Sequence, residues 1–329
     1  MELTRVLGDG LRAVLGVEAA IYAMAAIGLN IHFGYTGLLN FGQVGFMLVG
    51  AYGVAITVST FGGSLWLGVV VGVGLAVLLA LLLGGPTLRL RADYLSITTI
   101  AAAEILRFVF RSTPATSVTG GVFGLQRFAD AFYEANPIPR GQYGFWIVQF
   151  SHRRLWVTLV AWAFVAAACA LVWGLMHSPW GRVLRSIRED EDAARSLGKN
   201  VFAFKMQSLV LGGVIGALAG MFLAVSQQAV SPDTYLPQIT FFAYAILILG
   251  GAGRVFGPVL GSVVFWFTVA VTDSLLRNGV AAGALSAGFF RSETIGAVRF
   301  MLVGVGLMAL MIFRPQGILG DRREMQLDV

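Results

Sequence analysis

Charge is scarce in this chain. Only 12% of its 329 residues are Asp, Glu, Lys or Arg, about half of the roughly 25% that a soluble domain carries. That shortage excludes a water-exposed surface over most of the chain and points to an integral membrane protein. Lysine is scarcer still, occurring only at Lys199 and Lys205. Neither Gly198-Lys199-Asn200 nor Phe204-Lys205-Met206 fits the phosphate-binding pattern G-x-x-x-x-G-K-[ST], so nucleotide chemistry belongs on another polypeptide. The lone Cys169 excludes an internal disulfide and, within AAACALV, reads as a buried inert thiol. His32, His152 and His177 lie far apart without metal-like spacing, and no Ser-His-Asp set stands together. No metal site and no catalytic residue is expected.

What the chain does have is hydrophobicity: 57% apolar residues and 42 glycines, with a mean hydropathy of +0.80. A membrane-crossing helix needs about 20 apolar residues. Segments of roughly that kind fall at 13–31, 38–60, 65–84, 94–111, 155–176, 206–226, 238–250, 255–276 and 296–313. The seventh is too short to cross alone, and its Gly250-Gly251-Ala252-Gly253 ending predicts a broken or re-entrant element. The expected fold is therefore all-α: a polytopic membrane protein of eight or nine helices, one domain over residues 1–329. Arg5 and Arg12 precede the first apolar segment as in a signal peptide. With no A-x-A cleavage site, and with Glu18 interrupting the run, a retained first helix is expected.

The net charge of +6 is carried almost wholly by arginine. In a membrane protein this reads as loop anchoring, with no nucleic-acid partner. Arg89 and Arg91 mark the 85–93 turn. Arg182, Arg185, Arg188, Arg195, Lys199 and Lys205 mark the 177–205 loop, and Arg314, Arg322 and Arg323 the tail. Alternating spans place all three on one side, which should be the cytoplasm, with the C-terminus there. The 112–153 and 277–295 loops then lie outside.

The stretch GYTGLLNFGQVGFMLVGAY, residues 34–52, is apolar enough for a membrane yet carries Asn40 and Gln43. An unpaired amide costs several kcal/mol in hydrocarbon, so both should face protein or a water-filled path. Gly42 and Gly45 allow backbones to approach closely or a helix to break around a cavity. Asn40, Gln43, Gly42 and Gly45 are therefore candidates to line a translocation path. Gly212, Gly216 and Gly220, and Gly257 with Gly261, form small-xxx-small ridges suited to helix packing. Glu104 lies inside a predicted span with Arg107 at i,i+3, open to two readings: a structural ion pair or a place on the path.

The 177–205 loop encodes short amphipathic helices. Val183, Leu184 and Ile187 form one apolar set, and Ala193, Ala194 and Leu197 another. The charged run 188–192 separates them, and Gly198 supplies a stop. Such a helix suits docking into a groove on a soluble partner.

Several blocks resemble the binding-protein-dependent membrane permeases of ABC importers for branched-chain amino acids. Residues 34–52 are similar to that family's first block. Asp192-Ala193-Ala194-Arg195-Ser196-Leu197-Gly198 resembles its E-A-A-x-x-x-G coupling motif, with Asp for Glu. Thr119-Gly120-Gly121-Val122-Phe123-Gly124-Leu125 resembles an external-loop element, without the Ile-Pro that often follows. Gly250-Gly251-Ala252-Gly253-Arg254-Val255-Phe256-Gly257-Pro258-Val259-Leu260-Gly261 resembles G-G-x-G-x-x-x-G-P-x-x-G, with Arg254 bulkier than expected. Arg314-Pro315-Gln316-Gly317-Ile318 fits the terminal block.

The resemblance implies a non-enzymatic subunit in a bacterial inner membrane, surrounded by lipid and paired with a second permease and two ATPase subunits that hold the ATP. It implies that this chain binds no cofactor and that a solute-binding protein supplies cargo. Asp192, Ala193, Ala194, Leu197 and Gly198 would couple to the ATPase. Gly120, Gly121, Gly250, Gly251, Gly253, Gly257, Pro258 and Gly261 would serve as gate or structural positions. Branched-chain amino acids are the implied cargo; urea, short amides and sugars remain alternatives within the class. An ion-coupled carrier using Glu104 is the more distant alternative, and it leaves the 177–205 loop without a purpose.

Overall fold

The computed structural model describes residues 2–88, 92–145, 148–282, 292–314 and 316–320. Arg89, Arg91, Pro315, Arg322, Arg323 and residues 283–291 of the 277–295 loop lie outside the described residues. An amphipathic helix, α1 (Glu2–Leu15), is followed by α2 (Val17–Leu29), which passes into a π-helical turn at Asn30–Tyr35. The chain then leaves helical geometry until α3 (Gln43–Ser59), so the span expected at 38–60 begins five residues late. Next come α4 (Leu65–Thr87), α5 (Ala92–Arg111), the short α6 (Thr116–Thr119), β1 (Leu125–Gln126), α7 (Asp130–Glu134) and a hairpin of β2 (Gln142–Phe145) with β3 (Val148–Ser151). The second half runs through α8 (His152–His177), α9 (Pro179–Glu189), α10 (Glu191–Ser196), α11 (Val201–Gln227) and β4 (Ala229–Val230). It continues with α12 (Gln238–Gly250), α13 (Gly257–Ala281) and α14 (Ser292–Phe313).

Among the described residues, five helical stretches are long and apolar enough to cross a membrane: Val17–Tyr35, Leu65–Thr87, His152–His177, Val201–Gln227 and Gly257–Val280. The protein is an all-α, multi-pass membrane protein. Polar caps start several spans where the sequence changes from polar to apolar. Ser64 accepts from the Leu67 amide, Ser151 from the Arg154 amide and Asn200 from the Ala203 amide.

The centre is α2, packed against α3 and α11. Every residue of α2 except Glu18 and Tyr22 is buried, as a helix apolar on all sides requires. Small residues set how closely these helices approach. A Cβ at Gly220 would collide with the Met47 carbonyl, and one at Gly212 with the His32 ring and the Gly28 carbonyl. The ridge Gly212-Gly216-Gly220 is therefore a packing surface. By contrast α4 leaves Leu67, Val70, Leu78, Leu81 and Leu82 exposed, the signature of a peripheral, lipid-facing helix.

The bundle has two distinct ends. Gly84 near the end of α4 lies against Met206 near the start of α11, so the end of α4 and the α9–α10 elbow share one end of the bundle. At the opposite, distal end, the starts of α2 and α8 meet the end of α11. The N-terminal helix α1 has no counterpart among the expected spans. It packs on α13, with Gly10 against Phe267 and Val271, and Asp9 accepting from Ser274 at 2.9 Å.

Candidate functional site

The interruption between α2 and α3 is held by a buried chain of polar side chains. Asn40 and Gln43 are each 0% exposed. The Asn40 amide nitrogen lies 3.1 Å from His32 Nδ1 and 3.3 Å from Gln43 Oε1, while Asn40 Oδ1 accepts from the Gly42 amide at 2.9 Å. Gln43 Nε2 donates to the Gly212 carbonyl at 3.1 Å, and the Tyr244 hydroxyl donates to the Asn40 carbonyl at 3.0 Å. Thr240 accepts from the Val44 amide, and Thr99 from the Phe41 amide. The backbone groups freed by the break thus find partners inside the bundle, as low dielectric demands. Neither amide reaches a surface of this chain in this conformation. Gly42 rests on the Thr99 carbonyl and Gly45 on Ala103.

Sequence reasoning set His32 aside for lack of metal-like spacing and did not single out Thr36, Ser208, Thr240 or Tyr244. His32 also bonds the Leu209 carbonyl at 3.2 Å, and Thr36 bonds Ser208 at 2.7 Å. The available signal was a polar residue inside an apolar span, the same one that marked Asn40.

A second interruption faces the first. With 13 residues, α12 rises about 20 Å, short of a hydrocarbon core about 30 Å thick, so the broken element expected there is present. Gly251 and Gly253 occupy the turn after it, with φ of 110° and 77°. Gly257 and Pro258 open α13, and Gly250 and Gly261 let α12 and α13 touch backbone to backbone. The Ile318 and Leu319 amides donate to the Leu249 and Gly250 carbonyls at 3.0 Å each. The terminal block thereby satisfies carbonyls that the end of α12 leaves open. Asn30 joins the two breaks, donating to the Arg254 carbonyl and accepting from the Gly253 amide, both at 2.8 Å.

The elbow of α9 and α10 is capped by Asp190, which accepts from the Asp192 and Ala193 amides at 2.9 Å each. Lys205 and Arg195 pair with Glu191, and Arg195 also with Asp192. Gly198, at φ 76°, ends α10 in the left-handed region that glycine adopts without strain. One expectation is corrected. Ala194 is not on the open face: at 1% exposure it packs with Ile187 and Val201 inside the chain. Ala193 and Leu197, four residues apart and therefore on one side of the helix, form the open face, with Leu197 77% exposed. Arg188 in the elbow donates to the Gly34 carbonyl at 2.5 Å, tying the elbow to the π-helical turn.

At the distal end, Glu104 is held by Arg107. Its carboxylate accepts from Nε at 3.0 Å and from Nη2 at 2.7 Å. Asp233, which sequence reasoning did not pair with them, binds Arg107 at 3.0 Å and Arg111 at 3.3 Å. The structure thus forms the ion pair that was one of the two readings. Gly120 and Gly121 sit in a turn pinned by Thr119, whose hydroxyl accepts from the Gly121 amide at 3.2 Å. Gly124 packs on Val230 where β1 pairs with β4. Burial raises the Tyr133 phenol above its ordinary value although Gln228 and Arg153 pull it down. It donates to the Val225 carbonyl at 3.0 Å.

Comparison with known proteins matches residues 13–290 to the family described as branched-chain amino acid transport system / permease component. The chain is 29% identical over 309 residues to the high-affinity branched-chain amino acid transport system permease protein LivM of Escherichia coli, covering 91% of this chain and 68% of that one. It is 25% identical to LivH of the same organism, over 91% of each chain. It is 30% identical to the nucleoside ABC transporter permease protein NupC of Lactococcus lactis, over 70% of this chain and 71% of that one. The interrupted helices and the elbow therefore stand in a chain that belongs to the branched-chain amino acid permease family, a multi-pass transport subunit of an ABC importer.

Proposed function

We propose that this subunit carries branched-chain amino acids across a bacterial inner membrane, paired with a second permease and driven by two ATPase subunits that bind the ATP. A solute-binding protein delivers cargo at the distal end, and the elbow end, with the C-terminus, faces the cytoplasm. The chain binds no cofactor of its own and has no phosphate-binding loop. Its described part serves as one permease domain with the 177–205 elbow as its coupling loop. Similarity to both LivM and LivH supports the cargo; urea, short amides and sugars are secondary.

The observation that carries the reading is the elbow. It is a short, charged double helix whose inner side is packed and whose outer side presents Ala193 and Leu197 uncovered. An uncovered apolar side on a projecting helix suits a groove on a soluble ATPase. Arg188 gives motion of that elbow a direct route to the π-helical turn. The side-chain chain around Asn40 and Gln43, with Gly42 and Gly45, then forms the part of the path wall that rearranges. Gly120, Gly121 and the glycines from Gly250 to Gly261 keep its frame close-packed, and Glu104 braces its distal rim.

The test is Leu197→Glu in the assembled importer. A carboxylate forced into the groove costs about 2–5 kcal/mol of docking. Leucine uptake and substrate-stimulated ATP hydrolysis are expected to fall more than tenfold, while membrane insertion and pairing with the second permease persist. Full coupled activity would remove the elbow from the mechanism.

A further inference from the structure

Three helix ends converge at the distal end of the bundle: the start of α2, the start of α8 and the end of α11. Between them lies a cavity of about 450 Å³, lined by Val17, Glu18, Tyr133, Arg153, Arg154, Val157 and Leu223 among others. Its volume falls in the roughly 300–1,000 Å³ range of small-molecule sites. A smaller cavity of about 200 Å³ shares Val17, Glu18 and Arg154 with it and adds Asp9, Arg12 and Thr158.

Glu18, Arg153 and Arg154 are exposed charges of opposite sign in this space, while Asp9 beside them is bonded to Ser274. Among the described residues, the Glu18 carboxylate and the Arg154 guanidinium have no ion-pair or hydrogen-bond partner. The Arg153 guanidinium engages only the Tyr133 ring, at 5.8 Å from its centroid. Thr158 adds a second, independent sign. It is 5% exposed, and its buried hydroxyl has no hydrogen-bond partner, a situation that calls for an explanation in a native structure. Val17, Val157 and Leu223 supply apolar wall beside these groups.

We infer that these two adjoining cavities, which share Val17, Glu18 and Arg154, form one binding site for a zwitterionic α-amino acid with an apolar side chain. The ammonium group is received by Glu18 and Thr158, the carboxylate by Arg153 and Arg154, and the side chain lies on Val157 and Leu223. A guanidinium matches a carboxylate in geometry as well as charge. The inference rests on the amino-acid reading of the cargo and adds what the linear sequence hid, a pair of opposite charges suited to both ends of such a molecule. Glu18 and Arg153 are separated by most of the first half of the chain, and only the convergence of α2 with α8 brings them to one cavity. The site lies where cargo released at the distal end would first meet the subunit.

The test uses the assembled permease–ATPase complex in lipid nanodiscs without any binding protein, with L-leucine as the probe. Saturable binding by calorimetry and saturation-transfer NMR is expected at about 1 mM or tighter. Glu18→Gln, and separately the pair Arg153→Gln with Arg154→Gln, should weaken it at least about tenfold. On the unaltered complex, leucinamide and 4-methylpentanoate, each lacking one charged end, should compete at least about tenfold more weakly than leucine. That arm holds even if a variant fails to assemble. Absence of saturable binding, equal competition by the two analogues, or variants that bind leucine normally but lose docking of the binding protein would overturn the site. Leucine uptake by the unaltered complex with its binding protein is measured in parallel. Uptake without cavity binding overturns the site alone, and no uptake of any branched-chain amino acid overturns the cargo reading beneath it.

Discussion

The two helix interruptions that meet at Asn30 are held by different chemistry. Between α2 and α3 the freed backbone is latched by side chains: Asn40, Gln43, Thr99, Thr240 and Tyr244 each bond a main-chain group of the break or its surroundings. Between α12 and α13 the main chain does most of the work. Glycines allow backbone contact, and the amides of Ile318 and Leu319 complete the end of α12. A side-chain latch can exchange partners as neighbouring helices shift, because each bond is worth only about 1 kcal/mol net. A backbone seam lacks that latitude, since close-packed atoms have nowhere to go. We therefore expect the first break to rearrange and the second to hold. Arg188 reaches the first, through Gly34.

The largest effect is expected at the rigid seam. Gly250→Val places a branched side chain on the Gly257 carbonyl, where main chain cannot yield. Overpacking of this kind costs about 1–3 kcal/mol and occasionally more. The variant should fail to give a monodisperse complex by size-exclusion chromatography; normal assembly would end the distinction between seam and latch.

A smaller effect is expected at the latch. Asn40→Leu takes the Asn40 partner from the Gly42 amide, Gln43 Oε1 and His32 Nδ1, but side chains that can turn to new partners recover part of the loss, so the complex should assemble with a lowered melting temperature. Because Asn40 and Gln43 share a bond, adding Gln43→Leu should cost less than the sum of the single changes. Strict additivity in a double-mutant cycle would show that the latch is not one unit.

The smallest effect on stability is expected at Arg188→Gln, about 1 kcal/mol for the one hydrogen bond lost. Its signature is kinetic. ATP hydrolysis should continue while leucine taken up per ATP falls severalfold, if the elbow drives the first break through this guanidinium. Unchanged stoichiometry would leave the Arg188–Gly34 contact a static brace.

Much of the architecture is legible in the sequence. The apolar runs located helices, five of which are long and apolar enough to span among the described residues, and the short seventh run, 238–250, matches α12 (Gln238–Gly250), because the turn that ends it is written in consecutive glycines. Gly198 announced the stop of α10 for the same local reason. The helix α1 was not read, since its alternating polar and apolar residues fit neither a spanning helix nor a loop. The side of α10 that stays open was misread at Ala194, because a six-residue helix has too few positions for periodicity to show which side another segment covers.

The sequence by itself determined the solvent this chain lives in, the rhythm of its spans and the places where helices must stop. These follow from single-residue properties summed along the chain: hydropathy, glycine freedom and the cost of an unpaired amide in hydrocarbon. Only the tertiary structure decided which polar groups meet. It joined His32 to Asn40, Asn30 to Gly253, Arg107 to Asp233, and Glu18 to the same cavity as Arg153 and Arg154. Partnership between residues tens to hundreds of positions apart depends on how helices pack, and in lipid that packing is settled by the shapes of small residues, which leave no periodic trace of who faces whom.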